Sequence, residues 1–104
     1  MKRQEVVNRV RQSVKERSLD AIIILYGSEV RGESSPSSDI DVLILLDRVS
    51  ISRKEKSDIM DILYDIELET GVLISPLIYS LKEWENRPFK TLFYMNVVNE
   101  GIVL

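Results

Sequence analysis

The sequence predicts an α/β (α+β) domain, a mixed sheet with helices packed on it, and three observations carry that expectation. Two apolar runs rich in β-branched residues, Ala21–Leu25 and Ile40–Leu46, have the length of buried strands. Helix-periodic stripes stand before the first run and after the second. The resulting order, αβ-loop-βαβαα(β), alternates the two element types as layered α/β domains do.

Taken from the N-terminus, Val6, Val10 and Val14, with Val7 beside them, follow the i, i+4, i+8 spacing of one helix face. Arg3, Arg9, Arg11, Lys15 and Arg17 surround them, which predicts an amphipathic helix over Gln4–Arg17. Ser18–Asp20 then connects to a first strand, Ala21–Tyr26. The next segment, Gly27–Ser38, contains Ser34-Ser35-Pro36-Ser37-Ser38, a flexible-linker composition. A linker between two strands of one sheet would be unusual, so the segment reads as a site loop. After the second strand, Ser52-x-x-Glu55 forms a capping box, Ile59, Ile62, Leu63 and Ile66 make an i, i+3, i+4, i+7 stripe, and Gly71 stops the helix. Val72–Tyr79 is a third strand, whose Pro76 suits an edge or a bulge. Ser80-x-x-Glu83 opens a short helical turn that Arg87-Pro88 interrupts. Phe89, Leu92, Phe93 and Val97 mark a C-terminal helix ended by Gly101, and Ile102-Val103-Leu104 reads as a last short strand. No internal repeat and no second domain is visible, so residues 1–104 are expected to form one domain.

A chain of 104 residues can bury roughly 65% of the surface its unfolded form exposes, enough for one modest core. Hydrophobic residues at 44% and charged residues at 30% are ordinary for a globular protein, and no apolar run approaches the ~18 residues of a membrane span. The N-terminus MKRQEVVNRVRQ lacks the apolar segment of a secretory signal, which makes the cytoplasm the expected location. Absence of cysteine removes disulfides, thiolate nucleophiles and Cys-type zinc sites; absence of histidine removes the commonest general base. Chemistry must therefore rest on carboxylates, hydroxyls, arginine and lysine. With 14 basic against 17 acidic residues the net charge is −3, which argues against direct, broad binding of nucleic acid. A nucleotide held through a metal remains compatible with that charge.

The chemistry concentrates around the two central strands. The first stops at Tyr26-Gly27-Ser28, where glycine lets the backbone approach a ligand closely. The second opens with Asp39 and Asp41, whose i, i+2 spacing puts both carboxylates on one face of a strand. Two like charges about 6–7 Å apart on a sheet raise each other's cost unless a cation sits between them, so the pair calls for a metal.

Gly27-Ser28, ten intervening residues, then Asp39-x-Asp41 at the head of an apolar strand resemble the signature of the DNA polymerase β nucleotidyltransferase superfamily. Arg31-Gly32 within the loop narrows this. The GS-x-x-RG form in so short a chain resembles the minimal nucleotidyltransferases, stand-alone catalytic domains often found as the antitoxin partner of a helical HEPN-domain protein. The resemblance covers nearly the whole chain and implies the polymerase β palm. It assigns Asp39 and Asp41 as the catalytic pair and as ligands of one or two Mg²⁺ ions that bridge the triphosphate during in-line displacement at the α-phosphate. The expected activity is transfer of a nucleoside monophosphate, AMP from ATP first, to a hydroxyl acceptor such as a tyrosine or serine of a partner protein. A HEPN-domain protein is the expected partner, with self-association left open. The alternative is a catalytically inactive relative serving as a nucleotide- or protein-binding antitoxin or regulator.

For the remaining site residues two readings stand side by side. Gly27 and Ser28 either present backbone N–H groups and a hydroxyl to phosphate oxygens or form a plain tight turn. Arg31 either neutralises the triphosphate or pairs with the nearby aspartates or Glu33. Ser38 turns the loop into the strand. Active polymerase β relatives carry a third carboxylate on the strand after the long helix. Alignment puts that position at Leu73, with Ser75 next on the same face, and Val72–Ser80 contains no acid; Glu69 and Glu83 flank the strand from neighbouring helices.

Gly27–Ser34 also reads G-x-x-x-x-G-E-S, one residue from a Walker A loop, but Glu33 occupies the lysine position and inverts the electrostatics there. Pro36 and the serines, moreover, leave no helix for such a loop to enter. Trp84, Phe89, Phe93 and Tyr94 could stack a nucleobase, although aromatics at helical spacing belong more often to a core. So small a core is not expected to bury all of them, which points to a partner interface in the C-terminal helix region. Lys54, Lys56, Lys82, Arg87 and Lys90 are scattered among acids as ordinary surface.

Overall fold

The computed structural model describes residues 3–35, 37–87 and 90–104. Its elements follow the expected order: α1 (Arg3–Arg17), β1 (Ile22–Tyr26), α2 (Ser28–Arg31), β2 (Ile40–Leu46), α3 (Arg53–Thr70), β3 (Ile74–Ser80), α4 (Leu81–Glu85), α5 (Leu92–Glu100) and β4 (Ile102–Val103). Among the described residues the strands form one sheet in the order β3-β2-β1-β4. The β1–β2 and β1–β4 pairs are antiparallel, whereas β2 and β3 are parallel and α3 makes the crossover between them. The sheet is therefore mixed, and Pro76 lies on an edge strand, where a missing N–H is tolerated.

Alternation along the strands divides the core into two layers. On one face Ile23, Leu25, Ile40, Val42, Ile44 and Leu46 pack beneath the α1 valines Val6, Val7, Val10 and Val14 and the α3 residues Ile59, Leu63 and Ile66. On the other, Leu43 and Leu45 pack against Trp84 of α4 and Val97 of α5, with Tyr26, Tyr79, Phe93 and Tyr94 around them. Both faces of β2 are thus covered, which explains its unbroken apolar run after Asp41.

The ends of the elements show where local signals were followed and where they were diverted. Ser52 Oγ accepts from Glu55 N at 3.1 Å and Ser80 Oγ from Glu83 N at 3.0 Å, as the capping boxes predict. The Glu55 carboxylate, however, pairs with Arg48 at 2.7 Å. The third strand starts two residues later than Val72, because Glu67 Oε1 accepts from Ile74 N at 2.8 Å and Thr70 Oγ1 from Val72 N at 3.2 Å, holding Gly71–Leu73 as an irregular connection. The C-terminal helix is N-capped by Thr91, which accepts from Tyr94 N; the expected contributions of Pro88 and Phe89 lie outside the described residues. Gly101 ends it by close approach, since a Cβ there would meet Ile24 Cγ2 at 2.6 Å and the Val97 carbonyl oxygen at 2.5 Å. Among the described residues no helix is long and apolar enough to cross a membrane.

Candidate active site

The antiparallel register sets Asp41 opposite Tyr26, the last residue of β1, so the loop leaves one strand and the aspartates enter the next at the same end of the sheet. Asp41 alternates with Leu43 and Leu45 and so belongs to the face covered by α4 and α5. It is half-buried; Asp39, just before β2, is exposed. Burial pushes the Asp41 carboxyl above the usual carboxylate range, the charge of Asp39 adds to this, and Arg31 opposes it. No hydrogen bond from the described residues offsets that cost.

Gly27 adjoins this carboxylate directly. Its φ of 79° and ψ of −150° belong to glycine, and a Cβ at this position would fall 2.5 Å from Asp41 Oδ2. One residue type thus satisfies the turn and leaves the carboxylate its space. Ser28 then begins the short α2, where Val30 N and Arg31 N both donate to the Gly27 carbonyl. Ser38 acts as expected: its hydroxyl accepts from Ser35 N at 3.0 Å and closes the loop before the strand. Arg31 pairs with Glu33 at 3.1 Å and more loosely with Glu100 of α5 at 3.5 Å, the structural alternative for this residue, while its charge still reaches Asp41.

The parallel register fixes which residue of the third strand flanks Asp41. Asp41 lies beside Ser75, and Leu73 precedes β3, 57% exposed, with its carbonyl accepting from Ile40 N. The strand position next to Asp41 is therefore Ser75. Among the described residues no group of three or more carboxylates comes together, so Asp39 and Asp41 are the acidic pair at this end of the sheet.

Tyr26 was not singled out by its sequence context as a site residue, yet it completes the other flank of Asp41. Burial, the Asp41 charge and Tyr79 push its phenol up to about 12, so it remains a neutral donor at physiological pH. It packs edge-on against Phe93 with centroids 5.4 Å apart. Beyond Phe93 the aromatics form core: Trp84 is 5% exposed, stacks with Tyr79 at 6.2 Å and tilts against Tyr94 at 4.8 Å, with the Arg87 guanidinium 4.7 Å from its ring centre. A nucleobase platform on Trp84 is excluded by that burial. Surface apolar area on the C-terminal helix comes instead from Leu92, Met95 and Val98.

The Nucleotidyltransferase domain family matches residues 7–104. Two Methanocaldococcus jannaschii proteins named as protein adenylyltransferases are similar to the chain. One is 39% identical over 80 residues, covering 77% of this chain and 74% of that protein; the other is 35% identical over 82 residues, covering 79% and 75%. Chains of three solved toxin–antitoxin structures share the fold. A toxin–antitoxin with AMP-PNP aligns at a TM-score of 0.65 and 16% identity, over 92% of this chain and 69% of that chain. A tri-AMPylated Shewanella oneidensis HEPN toxin in complex with MNT antitoxin aligns at 0.59 and 15%, over 96% and 69%. An MntA–HpeT mutant with two aspartates changed to glutamates aligns at 0.60 and 13%, over 99% and 72%. At these identities the structural likeness speaks for the fold; the family match and the relatives above 30% identity speak for descent. The chain belongs to the nucleotidyltransferase domain family and has the polymerase β-like nucleotidyltransferase fold.

Proposed function

We propose that this chain binds Mg²⁺–ATP and transfers AMP to a hydroxyl of a partner protein, a HEPN-domain toxin for which it is the cytoplasmic antitoxin. In this reading residues 1–104 work as a single nucleotidyltransferase domain. The observation that carries the proposal is the Asp41 carboxylate, half-buried, disfavoured in its charged form by burial and by Asp39, and kept clear by Gly27. Such a group is relieved by a cation. Two hard carboxylate oxygens suit Mg²⁺, and the triphosphate supplies further oxygen ligands, so the residues present fit one ion. Asp39 and Asp41 would hold it; the ion would polarise the phosphates and stabilise charge on the leaving pyrophosphate.

The chain's own groups have separate tasks. Backbone N–H groups at Gly27 and Ser28, with the Ser28 hydroxyl, orient phosphate oxygens, and Arg31 adds positive charge at the rim of the site. An acceptor oxygen then attacks the α-phosphorus in line, the bond from that phosphorus to the pyrophosphate oxygen breaks with its electron pair leaving on pyrophosphate, and the hydroxyl proton passes to solvent water. In this reading the acceptor belongs to another protein, and the exposed Leu92, Met95 and Val98 on one face of α5 support a protein contact there. Names of the relatives and neighbours, protein adenylyltransferase and AMPylated HEPN toxin with MNT antitoxin, support AMP as the group and a HEPN protein as the acceptor.

Incubation with labelled ATP, Mg²⁺ and the product of the adjacent gene, followed by mass spectrometry, tests this directly. Added AMP on that partner is the expected result; ATP bound without transfer would overturn the enzyme reading in favour of a nucleotide-binding antitoxin. One observation favours that second reading: Ser75 beside Asp41 provides no third carboxylate for a second metal ion or for the acceptor proton.

A further inference from the structure

We propose that Arg3 is a positioning residue for the nucleotide site, tying α1 to both halves of the loop that carries it. This rests on the reading of Asp39 and Asp41 as the metal-binding pair. The loop's own hydrogen bonds are local: Glu33 N to the Ser28 carbonyl, Ser38 N to the Ser35 carbonyl and Ser35 N to Ser38 Oγ. Arg3 reaches it from far along the chain. Its Nε pairs with Glu29 in α2, one residue after Ser28, and its Nη2 donates to the Ser38 carbonyl at 2.7 Å. That carbonyl belongs to the peptide unit joining Ser38 to Asp39, so the contact sets the plane from which the Asp39 side chain departs. One guanidinium therefore spans the phosphate turn and the first aspartate, in the fork geometry that arginine supplies and lysine lacks.

The platform is rigid, because Val6, Val7 and Val10, the next positions along α1, are fully packed in the closed core. Arg3 and Glu29 are themselves mostly buried, at 20% and 13% side-chain exposure, whereas the other long-range tie of the loop, Arg31 to Glu100, has both partners 44% exposed. Arg3 Nη1 is buried without a partner among the described residues. Replacing both partners of the Arg3–Glu29 pair by apolar side chains would change net stability little, whereas removing Arg3 alone leaves the Glu29 carboxylate without its partner. The contribution of the pair is geometric.

The test compares the parent with Arg3→Met, alone and with Glu29→Gln, Arg3→Lys and Arg31→Met in thermal melts, amide hydrogen exchange without nucleotide, and Mn²⁺–ATP calorimetry. Arg3→Met is expected to lower Tm by leaving Glu29 unpaired, a loss that adding Glu29→Gln relieves; with or without that second change it should exchange the amides of Gly32, Glu33, Ser38 and Ile40 at least tenfold faster and bind Mn²⁺–ATP about tenfold more weakly. Arg3→Lys should fall between, keeping the Glu29 pair while losing the fork. Arg31→Met should weaken binding with exchange at Ser38 and Ile40 unchanged. Unchanged exchange at those amides in Arg3→Met would overturn the proposal. If the parent itself fails to bind Mn²⁺–ATP, the metal-site reading falls, and the exchange data still decide the role of Arg3.

Discussion

The two faces of the sheet are built from the same strands but finished differently. Beneath α1 and α3 the layer is aliphatic and closed, with the valines of one helix and the isoleucines and leucine of the other covering β1 and β2. On the opposite face the covering elements are short, nine residues in α5 and five in α4, and the layer is aromatic. That cover stops short of the end where Asp39 and Asp41 enter β2. Long amphipathic helices stabilise one side, and incomplete cover on the other leaves two carboxylates that a fully closed core would have to neutralise. A small domain can hold such a pair open only because the second layer lacks the area to bury it.

Removing volume from the closed face should have the largest effect on stability. Leu63→Ala is expected to cost about 2–5 kcal/mol and to lower Tm by roughly 10 °C or more, measured by denaturant and thermal unfolding. Metal-promoted ATP binding per folded molecule should be unchanged, since Leu63 faces away from the site.

The opposite pattern is expected at the open face. Asp41→Asn should abolish the promotion of ATP binding by Mg²⁺ or Mn²⁺ while leaving metal-free stability equal to or above that of the parent. Equal metal-dependent affinity by calorimetry would remove Asp41 from the site.

Ser75→Asp sharpens the comparison by adding a carboxylate where the register puts it. With the partner protein and saturating Mg²⁺–ATP, single-turnover transfer should rise by about 10²-fold, at some loss of metal-free stability from a third like charge. Leu73→Asp, two residues before Ser75 and outside β3, should do much less. Equal gains from the two would mean that the added charge acts at a distance rather than beside Asp41.

The smallest effects concern pH. Asp41 has a folded pKa above its unfolded value, so its charge costs stability that is fully felt above the folded pKa and relieved as pH falls through it. Any gain in Tm from Asp41→Asn should accordingly appear at neutral pH and disappear below about pH 4. Asp20 has the opposite sign. Its hydrogen bond from Arg48 lowers its pKa, and the stability it contributes is present above the unfolded value and lost as pH falls through the folded one. Asp20→Asn should therefore cost no more than about 1 kcal/mol at pH 7 and nothing in acid, as exposed pairs do.

The sequence by itself determined the element order, the helix faces of Val6–Val14 and Ile59–Ile66, the caps at Ser52 and Ser80, and the grouping of Gly27, Ser28, Asp39 and Asp41 at one end of two strands. These are local signals: periodicity, capping and spacing act over a few residues, and a motif separated by a single loop is brought together by one antiparallel pairing. Tertiary structure alone decided the rest. The β2–β3 register, and with it Ser75 rather than Leu73 as the neighbour of Asp41, depends on how the long crossover α3 packs and on Glu67 holding the start of β3, neither of which strand composition encodes. Glu55 was drawn from its cap to Arg48, Arg31 to Glu33 and Glu100, and Arg3 to Glu29 and Ser38, because a charged side chain on a flexible stem takes the partner that folding brings near. Burial of Trp84 likewise followed from how α4 and α5 pack on the sheet face of Leu43 and Leu45.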